Sequence, residues 1–101
     1  MKSPHIHDYL AETSYDDGHI HKILGVTSYE IPYGYSHVHS YKGVTTLNDA
    51  HVHYYSGLTG PAIPLAGGGH THKYNGFTTI DDGHKHYYKS LTGNAKSSML
   101  F

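Results

Sequence analysis

The fold is decided by a nine-residue stretch, His37-Val38-His39-Ser40-Tyr41-Lys42-Gly43-Val44-Thr45. Its histidines, tyrosine, glycine and threonine occupy every second position and define the pattern H-x-H-x-Y-x-G-x-T. Alternate residues of a β-strand point to the same face of a sheet. The stretch therefore predicts a strand with two imidazoles and a phenol on one face, and with apolar residues such as Val38 and Val44 on the other.

The same pattern recurs along the chain from six H-x-H pairs, which together hold all 12 histidines. The pairs are His5/His7, His19/His21, His37/His39, His51/His53, His70/His72 and His84/His86. Successive pairs are separated by 14, 18, 14, 19 and 14 residues. The alternation defines three tandem pseudo-repeats of about 32–33 residues, approximately 5–36, 37–69 and 70–101. Self-similarity of this length is typical of repeat architectures.

Three positions depart from the pattern. Ala11 and Ser90 stand where glycine is expected, and Ile23 stands where tyrosine is expected. All three lie in the first or last pseudo-repeat. Terminal units of repeat arrays often differ because they cap the array, and capping is our interpretation of these departures.

The links between pairs predict how the strands connect. The short links contain turn sequences, Asp-Asp-Gly or Asn-Asp-Ala, whereas the long links are rich in proline and glycine. A short link favours two strands paired as a hairpin. We therefore predict a single all-β repeat domain over residues 1–101, in which each pseudo-repeat has two short strands carrying H-x-H. A β-solenoid is the alternative.

Composition narrows the function classes. The chain has 101 residues, a net charge of −1, seven lysines, no arginine and no cysteine. It therefore predicts no nucleic-acid or basic membrane surface and no disulfide or thiolate metal site. No apolar run is long enough to predict a signal peptide or a membrane span, and the compartment stays open. With 11 tyrosines and few large aliphatic residues, the core is expected to be built from tyrosine and histidine.

The repeat grammar resembles that of the YmaF family, a group of small histidine-rich bacterial proteins. The resemblance rests on Asp-Ala-His-Val-His at 49–53, Gly-Leu-Thr-Gly-Pro-Ala-Ile-Pro at 57–64, Gly-His-Thr-His at 69–72 and Thr-Thr-Ile-Asp-Asp-Gly-His at 78–84. It covers the middle and C-terminal pseudo-repeats well, the N-terminal one less closely, and residues 94–101 hardly at all. The resemblance implies no particular activity, so function must be inferred from the residues.

The histidine pairs indicate metal binding. Two imidazoles on one face of a strand lie about 7 Å apart at Cα, so that both can reach one ion. Imidazole suits transition metals, and we expect Cu, Zn or Ni with all twelve histidines as ligands. Two neighbouring pairs would give a four-nitrogen site and about three sites per chain. A ladder of stacked histidine and tyrosine without metal is the alternative.

Three aspartates, Asp17, Asp49 and Asp82, each precede a pair by two residues. On a continuous strand they would share the face of the histidines and could join a mixed oxygen and nitrogen site. They could equally serve only as turn residues.

Catalysis is not predicted. The chain lacks H-E-x-x-H, G-x-S-x-G and phosphate-cradling motifs, and Glu12 and Glu30 are its only glutamates. Repetition of one kind of site suits binding capacity or structure better than turnover. The sequence thus predicts a non-catalytic metal-binding protein that self-associates into a homo-oligomer or filament. The alternative is a purely structural, metal-free β protein that self-assembles.

Overall fold

The structure, a computed structural model, describes residues 4–15, 18–47, 52–80 and 83–97. These residues form no helix, and so none that could cross a membrane. They form ten strands: His5–Glu12 (β1), Lys22–Val26 (β2), Ile31–Tyr33 (β3), Ser36–Val38 (β4), Ser40–Val44 (β5), Tyr54–Leu58 (β6), Ala62–Pro64 (β7), His70–Phe77 (β8), Tyr87–Leu91 (β9) and Ala95–Ser97 (β10). The predicted all-β class is confirmed.

Each pseudo-repeat is built around one antiparallel hairpin. The hairpins are β1 with β2, β5 with β6 and β8 with β9. They have the same register. In each hairpin the tyrosine of the first strand lies opposite the seventh residue of the second H-x-H-x-Y-x-G-x-T stretch, namely Tyr9 opposite Gly25, Tyr41 opposite Gly57 and Tyr74 opposite Ser90. All strand pairs among the described residues are antiparallel, so the chain does not form the coils of a solenoid.

Three short strands join the hairpins in a cycle. We call these short strands, β3, β7 and β10, the arms. Strand β3 pairs with β4, and β7 pairs with the start of β8, so that each of these two arms leads into the next pseudo-repeat. The last arm, β10, returns to the start of β1, where Ala95 lies opposite His7. The three pseudo-repeats therefore close on one another, and the molecule measures 46 × 29 × 24 Å along its principal axes.

The hairpins separate the two kinds of histidine pair. The first pairs lie at the open ends of the hairpins, as His5 and His7 do at the start of β1. The second pairs lie just before β2, β6 and β9, next to the hairpin loops. The second strand of each hairpin thus begins after its pair instead of carrying it.

The predicted period of two is visible in the burial. Along β1, His7, Tyr9 and Ala11 are buried, whereas Asp8 and Leu10 between them are exposed. The buried tyrosines form a layer with Ala11 and Ile23, namely Tyr9, Tyr41, Tyr55, Tyr74 and Tyr88. Histidines of the first pairs lie on one side of this tyrosine layer along the hairpins, and histidines of the second pairs on the other. The predicted core of tyrosine and histidine is thus present.

The register explains two of the three departures from the repeat pattern. Tyr9 lies opposite Gly25, whereas Ile23 lies opposite Ala11. A smaller side chain than tyrosine at position 23 leaves room for a methyl group at position 11. The two changes compensate for each other across one hairpin, which accounts for them without capping. Ser90 lies opposite Tyr74, where the other two hairpins have glycine opposite tyrosine, and the register does not explain this third departure.

Candidate metal centre

Six histidines, the first pair of every pseudo-repeat, meet at the open ends of the hairpins. One ring nitrogen from each lies within 4.8 Å of those from all the others. This six-histidine cluster consists of His5, His7, His37, His39, His70 and His72. The cyclic order of the strands places these residues together, because each arm holds the start of the next hairpin beside the previous one.

The first members of the three pairs form the outer part of the cluster. These rim histidines are His5, His37 and His70. Their Nε2 atoms form a triangle with sides of 3.1 Å (His5 to His37), 3.1 Å (His37 to His70) and 3.2 Å (His70 to His5). All three line a surface pocket of about 540 Å³, which gives small ions a route to the triangle.

The second members, the deep histidines His7, His39 and His72, are fully buried. Their Nδ1 atoms lie 2.9, 2.8 and 2.8 Å from the main-chain oxygens of Gly93, Ser28 and Gly60, in the same order. A carbonyl oxygen only accepts hydrogen bonds, so each Nδ1 must carry the proton. In the neutral ring Nε2 then carries a lone pair, and Nε2 is the atom that faces the cluster. A main-chain partner thus fixes both the ring orientation and the tautomer.

A threonine holds each of these histidines by its main chain. The amide of His39 donates to the Thr59 hydroxyl at 3.1 Å, and the amide of Thr59 donates back to the His39 carbonyl at 2.9 Å. His7 with Thr27 and His72 with Thr92 repeat the arrangement. These threonines are the last position of the repeat pattern. We included this threonine in the repeat pattern but predicted no role for it. Its constant place, six residues after the second histidine of a pair, was the signal that could have identified it.

Histidines of the second pairs form another cluster beside the hairpin loops. This loop-end cluster consists of His19, His53, His84 and His86, whose ring nitrogens also lie within 4.8 Å of one another. The ring of His21 lies 4.9 Å from that of His53 and 4.8 Å from that of His86. Main-chain carbonyls again accept from Nδ1, as with His53 and Thr79 at 2.8 Å.

Burial favours the neutral form of several histidines in the clusters. Desolvation lowers the pKa of His39 to about 4, against the opposing hydrogen bond to Ser28, and nearby histidines lower it further. Desolvation and the neighbouring histidines also lower the pKa of His70 to about 4. The pKa is lowered, first by burial, in His7, His72, His21 and His86 as well. Unprotonated imidazole is the form that binds metal.

One carboxylate lies beside the six-histidine cluster. Glu30 Oε1 is 3.6 Å from His5 Nδ1 and accepts the His5 amide at 3.1 Å. Partial burial opposes ionisation, but main-chain hydrogen bonds and the nearby histidines lower the pKa of Glu30. A carboxylate behind a ligating imidazole orients the ring and raises its basicity. The pattern did not single out Glu30, because the other pseudo-repeats have no glutamate.

The structure groups the predicted ligands differently from the expectation. Pairs of one hairpin do not meet, because one pair lies at its open end and the other at its loop. The expected grouping of two neighbouring pairs per site, with about three sites per chain, was therefore wrong. Pairs meet instead between pseudo-repeats, in two clusters among the described residues. His51, Asp17, Asp49 and Asp82 lie outside the described residues, so the choice between ligand and turn residue stays open for the aspartates.

Comparison with known families gives one match. The sequence model of the YmaF family, described as spore germination protein GerY/YamF, matches residues 2–93. The chain belongs to the YmaF family. Comparisons with curated proteins and with solved structures gave no match. The YmaF match includes every histidine pair, so both clusters fall within the part of the chain that the family shares.

Proposed function

We propose that this YmaF protein is a non-catalytic binder of transition-metal ions, which its histidine clusters chelate, and that it self-associates. The observation that carries the proposal is the convergence of six ring nitrogens within 4.8 Å in the six-histidine cluster. Cu, Zn and Ni are the ions expected from imidazole ligands. The family description, spore germination protein, supplies the setting in which we propose that the metal is used.

A metal ion accounts for the deep histidines better than a ladder of rings does. Their Nδ1 protons are already donated to main-chain carbonyls, so their Nε2 lone pairs need a donor or a cation. The Nε2 atoms of His39 and His72 are buried with no hydrogen-bond partner among the described residues. A buried polar atom without a partner costs free energy. A cation at the centre of the cluster would satisfy these lone pairs together.

The donor set supports a non-catalytic role. The six-histidine cluster offers only imidazole nitrogens, and its nearest carboxylate, Glu30, lies behind His5. A catalytic metal keeps an open position for water or substrate, whereas a structural metal is surrounded by protein ligands. A site assembled from six side chains of one kind fits the second description.

Self-association is supported by the outer face of the hairpins. Leu10 and Leu58 are each 63% exposed, and Phe77 is 57% exposed. Leu10 lies directly opposite Leu24, itself 58% exposed, so that apolar side chains adjoin on the surface. Exposed apolar patches are typical of protein contact surfaces. A second copy of the chain is the partner that we propose for this face.

The test is elemental analysis of protein purified without an affinity tag or added metal, before and after dialysis against a chelator. We expect bound Cu, Zn or Ni, a lower melting temperature after chelation, and a sedimentation coefficient larger than that of a monomer. The variant His5→Gln/His37→Gln/His70→Gln should lose the metal of the six-histidine cluster, and His19→Gln/His84→Gln that of the loop-end cluster. Protein that stays folded without metal and takes up none would overturn metal binding and favour the purely structural alternative.

A further inference from the structure

We propose that the six-histidine cluster is an octahedral site in which all six imidazoles bind one divalent ion of the Fe²⁺, Co²⁺ or Ni²⁺ class. The inference rests on the proposed function, to which it adds the coordination number and the class of ion. It concerns this cluster alone, because all six of its histidines are among the described residues.

The ring contacts have the connectivity of an octahedron. In the cluster, rings pack against each other with centroids 4.5–5.3 Å apart. Among these described histidines, three pairs are absent from the contacts, namely His5 with His72, His7 with His37, and His39 with His70. Six ligands around one ion likewise divide into three opposite pairs, and every other pair is adjacent. The cluster therefore has a defined arrangement in which each ring has one opposite partner.

The opposite pairs follow from the threefold arrangement of the chain. Each joins a rim histidine to a deep histidine of a different pseudo-repeat. Two staggered triangles of donors, one of rim and one of deep histidines, form an octahedron viewed along its threefold axis. Two histidines of one H-x-H pair are adjacent ligands, as their spacing along a strand requires. Topology and ring packing thus specify the same geometry independently.

The nitrogen separations set the size of the ion. In an octahedron the distance between adjacent donors is the metal–donor distance multiplied by the square root of two. The Nε2 separations of 3.1–3.2 Å within the rim triangle therefore correspond to metal–nitrogen bonds of roughly 2.2 Å. His7 Nε2, from the deep triangle, lies 3.2 Å from His70 Nε2, an adjacent ligand in this arrangement. Four-coordinate zinc has shorter bonds to nitrogen, about 2.0–2.1 Å.

The geometry selects among the ions that imidazole can bind. Protein zinc sites are almost always four-coordinate when structural, and Cu²⁺ favours a tetragonal arrangement. Four-coordinate Zn²⁺ would leave two imidazoles of the cluster unbound and buried, and tetragonal Cu²⁺ would hold two of them only by long bonds. An ion that accepts six nitrogen donors satisfies all of them. Because every position is then taken by protein, no water or substrate binds the ion.

X-ray absorption spectroscopy of the Ni²⁺-loaded full chain would test the proposal. The variant His19→Gln/His84→Gln would be used so that the signal comes from the six-histidine cluster, with the unaltered chain as reference. We expect six nitrogen neighbours at about 2.2 Å. The Co²⁺-loaded variant should show the weak visible absorption of octahedral Co²⁺, not the intense bands of tetrahedral Co²⁺. His70→Gln, added to this variant, should weaken Ni²⁺ binding by more than about 10-fold and replace one nitrogen neighbour by oxygen.

The outcomes separate the two proposals. Four nitrogen neighbours, or several oxygens in the background variant, would overturn the octahedral site and leave metal binding intact. Circular dichroism of each variant shows whether a negative result comes from unfolding. If a variant is unfolded, X-ray absorption of the Ni²⁺-loaded, folded unaltered chain decides between the outcomes. If the unaltered chain binds no Fe²⁺, Co²⁺, Ni²⁺, Zn²⁺ or Cu²⁺, the proposed function fails together with this inference.

Discussion

At the scale of single residues, close packing constrains the glycines opposite Tyr41 and Tyr55, although Ser90 occupies the equivalent position opposite Tyr74. A Cβ atom added at Gly57 would lie 2.7 Å from the hydroxyl oxygen of Tyr41, and one at Gly43 would lie 2.5 Å from that of Tyr55. The ring of Tyr41 has little room to withdraw, since it is buried and its hydroxyl lies 3.0 Å from that of Tyr88. Glycine is required here by the close approach of a ring across the hairpin.

Gly57→Ala should therefore destabilise the protein by about 1–3 kcal/mol, the usual effect of forcing an extra carbon into a packed core. Urea unfolding followed by circular dichroism would measure the change. Gly60→Ala is the matched control, because the added Cβ would meet only the Lys73 carbonyl at 3.7 Å, an ordinary contact. Equal stability of the two variants would contradict the proposed close packing.

This residue-level detail was only partly predictable from the sequence. The shared parity of the histidine, tyrosine, glycine and threonine positions identified the inner face correctly. The compensation between Ala11 and Ile23 could not be inferred, because it depends on which residues lie opposite each other. Strand register is set by the hairpin loop and by packing, and the repeat pattern gives neither.

At the scale of elements, each hairpin is fastened at its histidines by a threonine hydroxyl. Thr59 accepts the amide of His39, and Thr27 accepts the amide of His7. Both threonines are buried, so water cannot readily replace the hydroxyl. The bond fixes the strand at the residue whose ring enters the cluster, and it therefore contributes to the position of the ring.

Thr59→Val, which keeps the shape but removes the hydroxyl, should cost about 1–3 kcal/mol of stability because the His39 amide loses its side-chain partner in the interior. Metal affinity should fall in parallel. Thermal unfolding and metal titration would measure the two effects. Thr71→Val serves as the control at a buried threonine of β8 that holds no histidine in this way. If Thr59→Val is as stable as Thr71→Val and binds metal as tightly, the Thr59 hydroxyl does not fasten the hairpin.

The hairpins themselves were predictable, but the arms were not. Alternation within the repeat and turn residues in the short links indicated paired strands. The arms β3, β7 and β10 have only three residues each and no internal period. Arms β3 and β7 pair with strands that begin only a few residues later, whereas β10 pairs with β1 at the other end of the described chain. Which histidines meet is decided by how the hairpins lie beside one another, through contacts such as that of the Thr79 amide with the Tyr54 carbonyl. The repeat pattern does not contain this information, so the predicted grouping of neighbouring pairs was wrong.

At the scale of the whole molecule, burial of the histidines couples stability to pH. The pKa values of His39 and His70 are about 4 in the fold. In an unfolded chain histidine titrates near 6.5. As the pH falls below 6.5, protons therefore bind the unfolded chain before the folded one. Stability is complete above this value and decreases towards pH 4.

We expect the melting temperature of chelator-treated protein to be constant between pH 8 and about 7 and to fall steeply below about 6.5. Each proton bound only by the unfolded chain adds about 1.4 kcal/mol per pH unit to the slope. Calorimetry across this range would measure the effect, and a melting temperature that does not change down to pH 5 would contradict it. Metal-loaded protein should show the same direction of change from a higher starting stability.

The cyclic arrangement of the pseudo-repeats has a consequence for how such a protein can change in size. A solenoid can gain or lose a unit because each unit touches only its neighbours. Here the last arm returns to the first strand, and each unit supplies one pair to the six-histidine cluster. A chain with two units would leave the ring open, and a chain with four would bring together eight histidines of the first pairs instead of six. The number of units is therefore fixed at three, and duplication of a unit would destroy the architecture instead of extending it.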